Sequence, residues 1–113
     1  MLTLNQYIDL CRRNRYAGAK AKNTIEHSLC AEMFSQKCSA YEQCVTLHYL
    51  WYWKDKKTDK SNIAFAQKFV EDALVKARIL KGDGWKFVDG FTHEFEVDSK
   101  DPRLELIIKP LMM

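Results

Sequence analysis

The sequence predicts an α+β fold in a single domain spanning 1–113: four helices, the second and third an antiparallel hairpin, then a small three-stranded antiparallel β-meander. Three observations lead there. Apolar residues recur at three- and four-residue spacing through much of 1–81, the helical part. Beyond Gly82 the period changes to two, marking 82–113 as the β part. Composition fits an ordinary globular domain: of 113 residues 47% are hydrophobic and 29% charged, with only 4 Gly and 2 Pro, which excludes collagen-like and disordered chains.

Thr3 followed by Gln6 is a capping-box pattern, and Leu4, Ile8 and Cys11 form an apolar stripe, so the first helix is expected from Leu4 to Asn14. Arg12, Arg13 and Arg15 fall near its end, where cations oppose the helix dipole, and Gly18 offers a stop. Ala19 to Lys22 reads as a linker or a frayed turn. Asn23 or Thr24 can cap a second helix through Ile25, Leu29, Met33 and Phe34 to Lys37. Ser39-Ala40-Tyr41-Glu42 is a further capping box and opens a third helix through Cys44, Val45, His48, Trp51 and Tyr52. A fourth starts at Ser61 or Asn62 and carries Ile63, Phe65, Phe69, Val70, Leu74 and Leu80 on a broad apolar face that Gly82 ends.

Phe91, His93, Phe95 and Val97 alternate with Thr92, Glu94 and Glu96, the pattern of a half-buried strand with His93 on its inner face. A three-residue loop Val88-Asp89-Gly90, with Gly90 left-handed, would pair Phe87 with Phe91 and keep the aromatics on one face. Asp101-Pro102 marks a turn, and Leu104 to Lys109 a third strand ended by Pro110.

The net charge of +3 conceals an asymmetry, because 1–22 holds Arg12, Arg13, Arg15, Lys20 and Lys22 against Asp9 alone. With Tyr16 among them, these cations have the composition of a phosphate-backbone contact. Tyr49 to Trp53 reads Tyr-Leu-Trp-Tyr-Trp; on a helix these rings cannot all face one core, so Trp51 and Trp53 become candidates for a partner surface. Phosphate-binding glycine loops, nucleophile elbows and HExxH are lacking, and the chain is expected to be non-catalytic. Cys11 beside Arg12 and Arg13 is a thiol in a cationic setting, but nothing in the sequence places a base near it.

The start of the chain has no apolar run of secretory type, and Gln43 to Trp53, the longest stretch without a charged residue, is too short to span a bilayer; a cytoplasmic location with reduced thiols is expected. Cys30, Cys38, Cys44 and His48 have the spacing C-x7-C-x5-C-x3-H, which resembles the CCCH zinc finger of RNA-binding proteins. That resemblance covers only Cys30 to His48 and implies three thiolates and one imidazole on zinc. A helical hairpin would instead bring His27 and Cys30 opposite Cys44 and His48. Thiols and histidines filling a helical core are the simpler reading, so no cofactor is expected and zinc is the alternative. Together these features describe a small binding module that engages nucleic acid, or a protein that handles it, through its N-terminal cations and exposed aromatics. The contrasting reading is an inhibitor or adaptor of mobile-element type that binds protein through an aromatic helix surface around Trp51.

Overall fold

A computed structural model describes residue 12 and residues 15–111. The expected helix from Leu4 to Asn14, with Cys11 and Arg13, lies outside the described residues apart from Arg12, as does the side chain of Arg15. The remaining elements run in the order α1 (Arg15–Ser35), β1 (Val45–Trp53), α2 (Lys60–Ala64), α3 (Gln67–Lys76), β2 (Val88–Val97) and β3 (Arg103–Pro110). The architecture is α+β, but its helices and strands are not distributed as the sequence suggested. One long helix and a joined α2–α3 pair accompany a mixed sheet, in place of four helices and an antiparallel meander.

The decisive correction is Val45–Trp53, expected as the third helix and found as the central strand. Val45, Leu47, Tyr49 and Trp51 are buried while Thr46, His48, Leu50 and Tyr52 are only partly so, an alternation that only an extended chain produces. Apart from Leu47 and Leu50 the segment is made of β-branched and aromatic-ring residues, which lose rotamer freedom in a helix and pack well on a pleated surface. The rings that could not share one helix face are thereby divided between two faces of a sheet.

The strand order is β2-β1-β3. β2 runs parallel to β1, with Leu47 opposite Phe91 and Trp51 opposite Phe95, and β3 runs antiparallel to it, with Leu47 opposite Ile108. A parallel neighbour requires a crossover, which α2 and α3 supply between β1 and β2. The turn at 98–102 then carries the chain past the end of β1 to its other edge. Asp98 shapes that turn, its carboxylate accepting from the backbone N–H of Lys100 and Asp101 and from Arg103, while its own N–H donates to the Trp53 carbonyl at 2.8 Å.

The predicted hairpin at Val88-Asp89-Gly90 is absent because β2 begins at Val88 and pairs with β1 instead. Val45 faces Val88 and Thr46 faces Gly90, so Asp89 is the extra residue of a bulge, and no described glycine has positive φ. The expected fourth helix is broken at Phe65-Ala66 and ends at Lys76, short of Gly82.

Both longer helices close in the same way. At the end of α1, Cys38 N–H donates to the Met33 carbonyl (3.3 Å) and Lys37 N–H to that of Phe34 (3.0 Å), with Lys37 at φ 54°. At the end of α3, Ile79 N–H donates to Leu74 (2.9 Å) and Arg78 N–H to Val75 (3.0 Å), with Arg78 at φ 61°. This is the Schellman arrangement, whose left-handed position glycine usually fills. Gly18 does not stop α1 but lies buried inside it.

The core lies on one face of the sheet, where Val45, Leu47, Tyr49 and Trp51 meet Ile63, Phe69, Val70 and Leu74. α1 packs chiefly on α3, with Ile25, Leu29 and Met33 turned toward the core. An ionic seam joins the two helices. Glu26, 1% exposed, pairs with Lys76 and, at 3.6 Å, with Lys22; Lys22 also reaches Asp72 at 3.1 Å, and Asp72 pairs with Lys68. The hydrogen bond to Asp72 holds the Lys22 ammonium above its ordinary pKa. Burial would raise Asp72, but its bonds to Lys22 and Lys68 outweigh this and keep it below the ordinary value.

Candidate anion-binding face on the long helix

At 100° per residue, Tyr16, Lys20, Asn23 and His27 project within an arc of about 60° on α1. All four are exposed, Tyr16 at 65%, because the inward side of the helix is taken up by Ile25, Glu26, Leu29 and Met33. A shallow groove of about 570 Å³ runs along this outer face, lined by Tyr16, Lys20, Asn23, Thr24, His27 and small neighbours, with no carboxylate among these described residues. The Thr24 hydroxyl is turned back onto the Lys20 carbonyl (2.9 Å), while Lys20, Asn23, His27 and Ser28 are among the polar side chains that line the groove. Arg12 is exposed as well and continues the four-residue spacing of Tyr16 and Lys20 in the sequence.

The predicted cationic set therefore divides. Arg12, Tyr16 and Lys20 are on the surface, whereas Lys22 is engaged with Asp72 and Glu26 across the helix interface. The four-residue spacing of Tyr16 and Lys20 was the signal that one helix carries both. Reading Gly18 as a stop hid it, and hid with it the place of Asn23 and His27 on the same face.

The tryptophans do not join this site. Trp51, expected on a partner surface, is 3% exposed, and its indole N–H donates to His93 Nδ1 at 2.8 Å. An indole nitrogen can only donate, so Nδ1 is the acceptor and His93 is the neutral Nε2–H tautomer, donating to Gln67 Oε1 at 2.8 Å. Gln67 in turn donates to Glu71 at 3.3 Å. Burial lowers the His93 pKa and raises that of Glu71, so both groups are pushed toward their neutral forms. Tyr49 stacks on His93 at 4.9 Å, and burial followed by the nearby Glu71 charge raises its phenol well above the ordinary value. This polar chain ties β1, β2 and α3 together inside the core. Trp53 is partly buried and lines a separate cleft with Asp55, Asp59, Lys60, Phe95 and Glu96.

The outer face of the sheet carries Glu94, Glu96 and Glu105 against Arg103 and Lys109. Arg103 is already committed to Asp98 and Glu105 and lies 3.9 Å from the centre of the Tyr52 ring. The glutamates would repel phosphate, so this sheet lacks the basic, aromatic character of a single-strand RNA platform.

The residues weighed as zinc ligands are dispersed. His27 is on the outer face of α1; Cys30 donates to the Ala73 carbonyl (3.4 Å); Cys38 is exposed beyond the helix; Cys44 precedes β1. His48 is on the outer sheet face, its Nδ1 2.7 Å from the Thr92 hydroxyl. The helical hairpin that would have opposed His27 and Cys30 to Cys44 and His48 does not form, because His48 lies in β1 and Cys44 immediately precedes that strand. Among the described residues no three His, Cys, Asp or Glu side chains are grouped to hold a metal ion, and no described helix is long and apolar enough to cross a membrane. No family model, curated protein or solved structure matches the chain.

Proposed function

We propose that the chain is a small non-catalytic binding module that engages an anionic partner, nucleic acid or a protein that handles it, through the outer face of α1. The observation that carries this reading is the co-location of Tyr16, Lys20 and His27 on one exposed helix face whose described groove holds no carboxylate. An ammonium and a polarisable ring on one face suit a phosphate chain, the cation neutralising charge and the ring stacking or packing on sugar and base. The glutamates of the outer sheet face direct a polyanion to the helix rather than to the sheet.

Fluorescence anisotropy with a labelled 20-base-pair duplex and a 20-nucleotide RNA tests the proposal across a salt series. The triple variant Arg12→Gln, Tyr16→Ser, Lys20→Gln should bind at least tenfold more weakly, with a log–log salt slope lower by about 0.9 for each duplex phosphate it no longer neutralises. Lys22→Gln should lower the melting temperature and leave the slope unchanged, because Lys22 is held by Asp72 and Glu26. Failure of the wild-type chain to bind either probe at low salt, or equal binding and slope in the triple variant, would overturn the reading.

A further inference from the structure

A second surface stands apart from the polar groove. Where α1 and α3 end side by side, a cleft of about 660 Å³ opens, walled by Cys30, Met33, Phe34, Ala77 and Ile79 with His27 and Lys37 at its polar margin. Phe34 is 87% exposed there, an arrangement that leaves a large apolar ring in water unless something covers it. Among the described residues no carboxylate contributes to the wall.

The two helix ends that frame this cleft are the two left-handed positions of the described chain, and each is held by a long cation, Lys37 and Arg78, where glycine would fit without strain. Lys37 lies in the wall, and Arg78 stands between Ala77 and Ile79, both of which do. At α3 the helix dipole does not require this arrangement, because Lys76 already occupies the last turn, whereas α1 has no basic residue in its own last turn. Strained backbone concentrates at sites where it serves binding or switching.

We propose that this cleft is a docking site for an acidic peptide segment of a partner protein, in which an apolar side chain enters between Met33, Phe34 and Ile79 and flanking carboxylates meet Lys37 and Arg78. Charge complementarity selects this occupant. The chain's own residues 1–14, with Arg12 and Arg13 against Asp9, carry a net positive side-chain charge, the wrong sign for these cations. A polyphosphate would match the cations but leave the apolar wall uncovered, whereas an apolar anchor flanked by Asp or Glu satisfies both. The site does not depend on the nucleic-acid reading, because only His27 borders both surfaces.

Panning a phage-displayed random dodecapeptide library on the intact chain should enrich sequences with one large apolar residue beside at least two Asp or Glu. A synthetic peptide of that consensus should bind in a salt-sensitive manner. Lys37→Gly combined with Arg78→Gly should raise the melting temperature by relieving two left-handed side chains, yet weaken the peptide at least tenfold; Phe34→Ser should weaken it similarly at unchanged melting temperature. Because the glycine variant is expected to be the more stable protein, its weaker binding cannot be ascribed to unfolding. A basic consensus or none, equal affinity in these variants, or competition by the 20-nucleotide RNA at this cleft would overturn the proposal. So would self-association that Phe34→Ser abolishes, which would make a second copy the occupant.

Discussion

His93 joins the sheet to the helical layer by accepting from Trp51 and donating to Gln67, and only its neutral form can do both. Burial lowers its pKa in the folded chain from the ordinary 6.5, so between 6.5 and the folded value the unfolded chain binds the proton and the folded chain does not. The stability contribution is complete above pH 6.5 and is lost as pH falls through that window. Glu71 acts in the opposite sense, its raised pKa favouring the fold as pH falls toward the carboxylate range. Urea midpoints at pH 7.5 and 5.5 should therefore show a decline in the wild type that is smaller in His93→Gln. Glycines give a second pair of single-residue outcomes. A Cβ on Gly82 would meet the Phe87 ring at 2.8 Å, so Gly82→Ala should destabilise by about 1 kcal/mol or more as the ring is displaced. Gly90 has open space around its Cβ position and no positive φ, so Gly90→Ala should be neutral or stabilising by about 0.5 kcal/mol through the unfolded state. Were Gly90 the left-handed residue of a hairpin, as the sequence suggested, the same substitution would destabilise.

Among the elements, β1 carries the sharpest test because Leu47 and Leu50 are three residues apart. On a helix they would share a face and suffer together on truncation. On the strand they point oppositely, Leu47 fully buried and Leu50 on the outer face. Leu47→Ala should cost about 2–5 kcal/mol and Leu50→Ala less than about 1 kcal/mol, read from denaturation midpoints. The seam between α1 and α3 yields a related asymmetry. Lys76→Met strips the buried Glu26 carboxylate of its nearest cation and leaves Lys22 at 3.6 Å, which should cost about 1–3 kcal/mol. Glu26→Gln instead releases two lysines that reach solvent, and should cost less. In the double variant Lys76→Met, Glu26→Gln the combined destabilisation should be smaller than the sum of the two single effects, since the uncompensated charge is gone.

Across the whole molecule, β1 is the one described strand paired on both edges, and it supplies the central row of the core. Its amide protons should be the slowest to exchange, approaching the global unfolding limit, while amides on the outward edges of β2 and β3 exchange through local opening. Faster exchange in β1 than in β3 would contradict the strand order β2-β1-β3. The topology also sets a kinetic expectation: a parallel pair separated by the whole α2–α3 crossover closes a long loop before β1 and β2 can meet, so folding should be slower than for a local meander of the same length.

What the sequence by itself determined is the α+β class, the strand character of Phe91–Val97 and Leu104–Lys109, the inward-facing His93 and the concentration of cations before residue 23; Pro110, expected to end the last strand, is its final paired residue. Each depends on local information: a two-residue period or a count of charges. Only the tertiary structure decided that Val45–Trp53 is the central strand, since its apolar residues satisfy helical spacing as well as alternation and pairing with β2 and β3 on its two edges is what selects the extended form. It also decided that Gly18 lies inside α1, that Arg78 rather than a glycine ends α3, and that Lys22 turns inward to Asp72 while Lys20 faces water. The reason is common to all four: the free energy that fixes them comes from packing and ion pairs between segments distant in the chain, which no local pattern records.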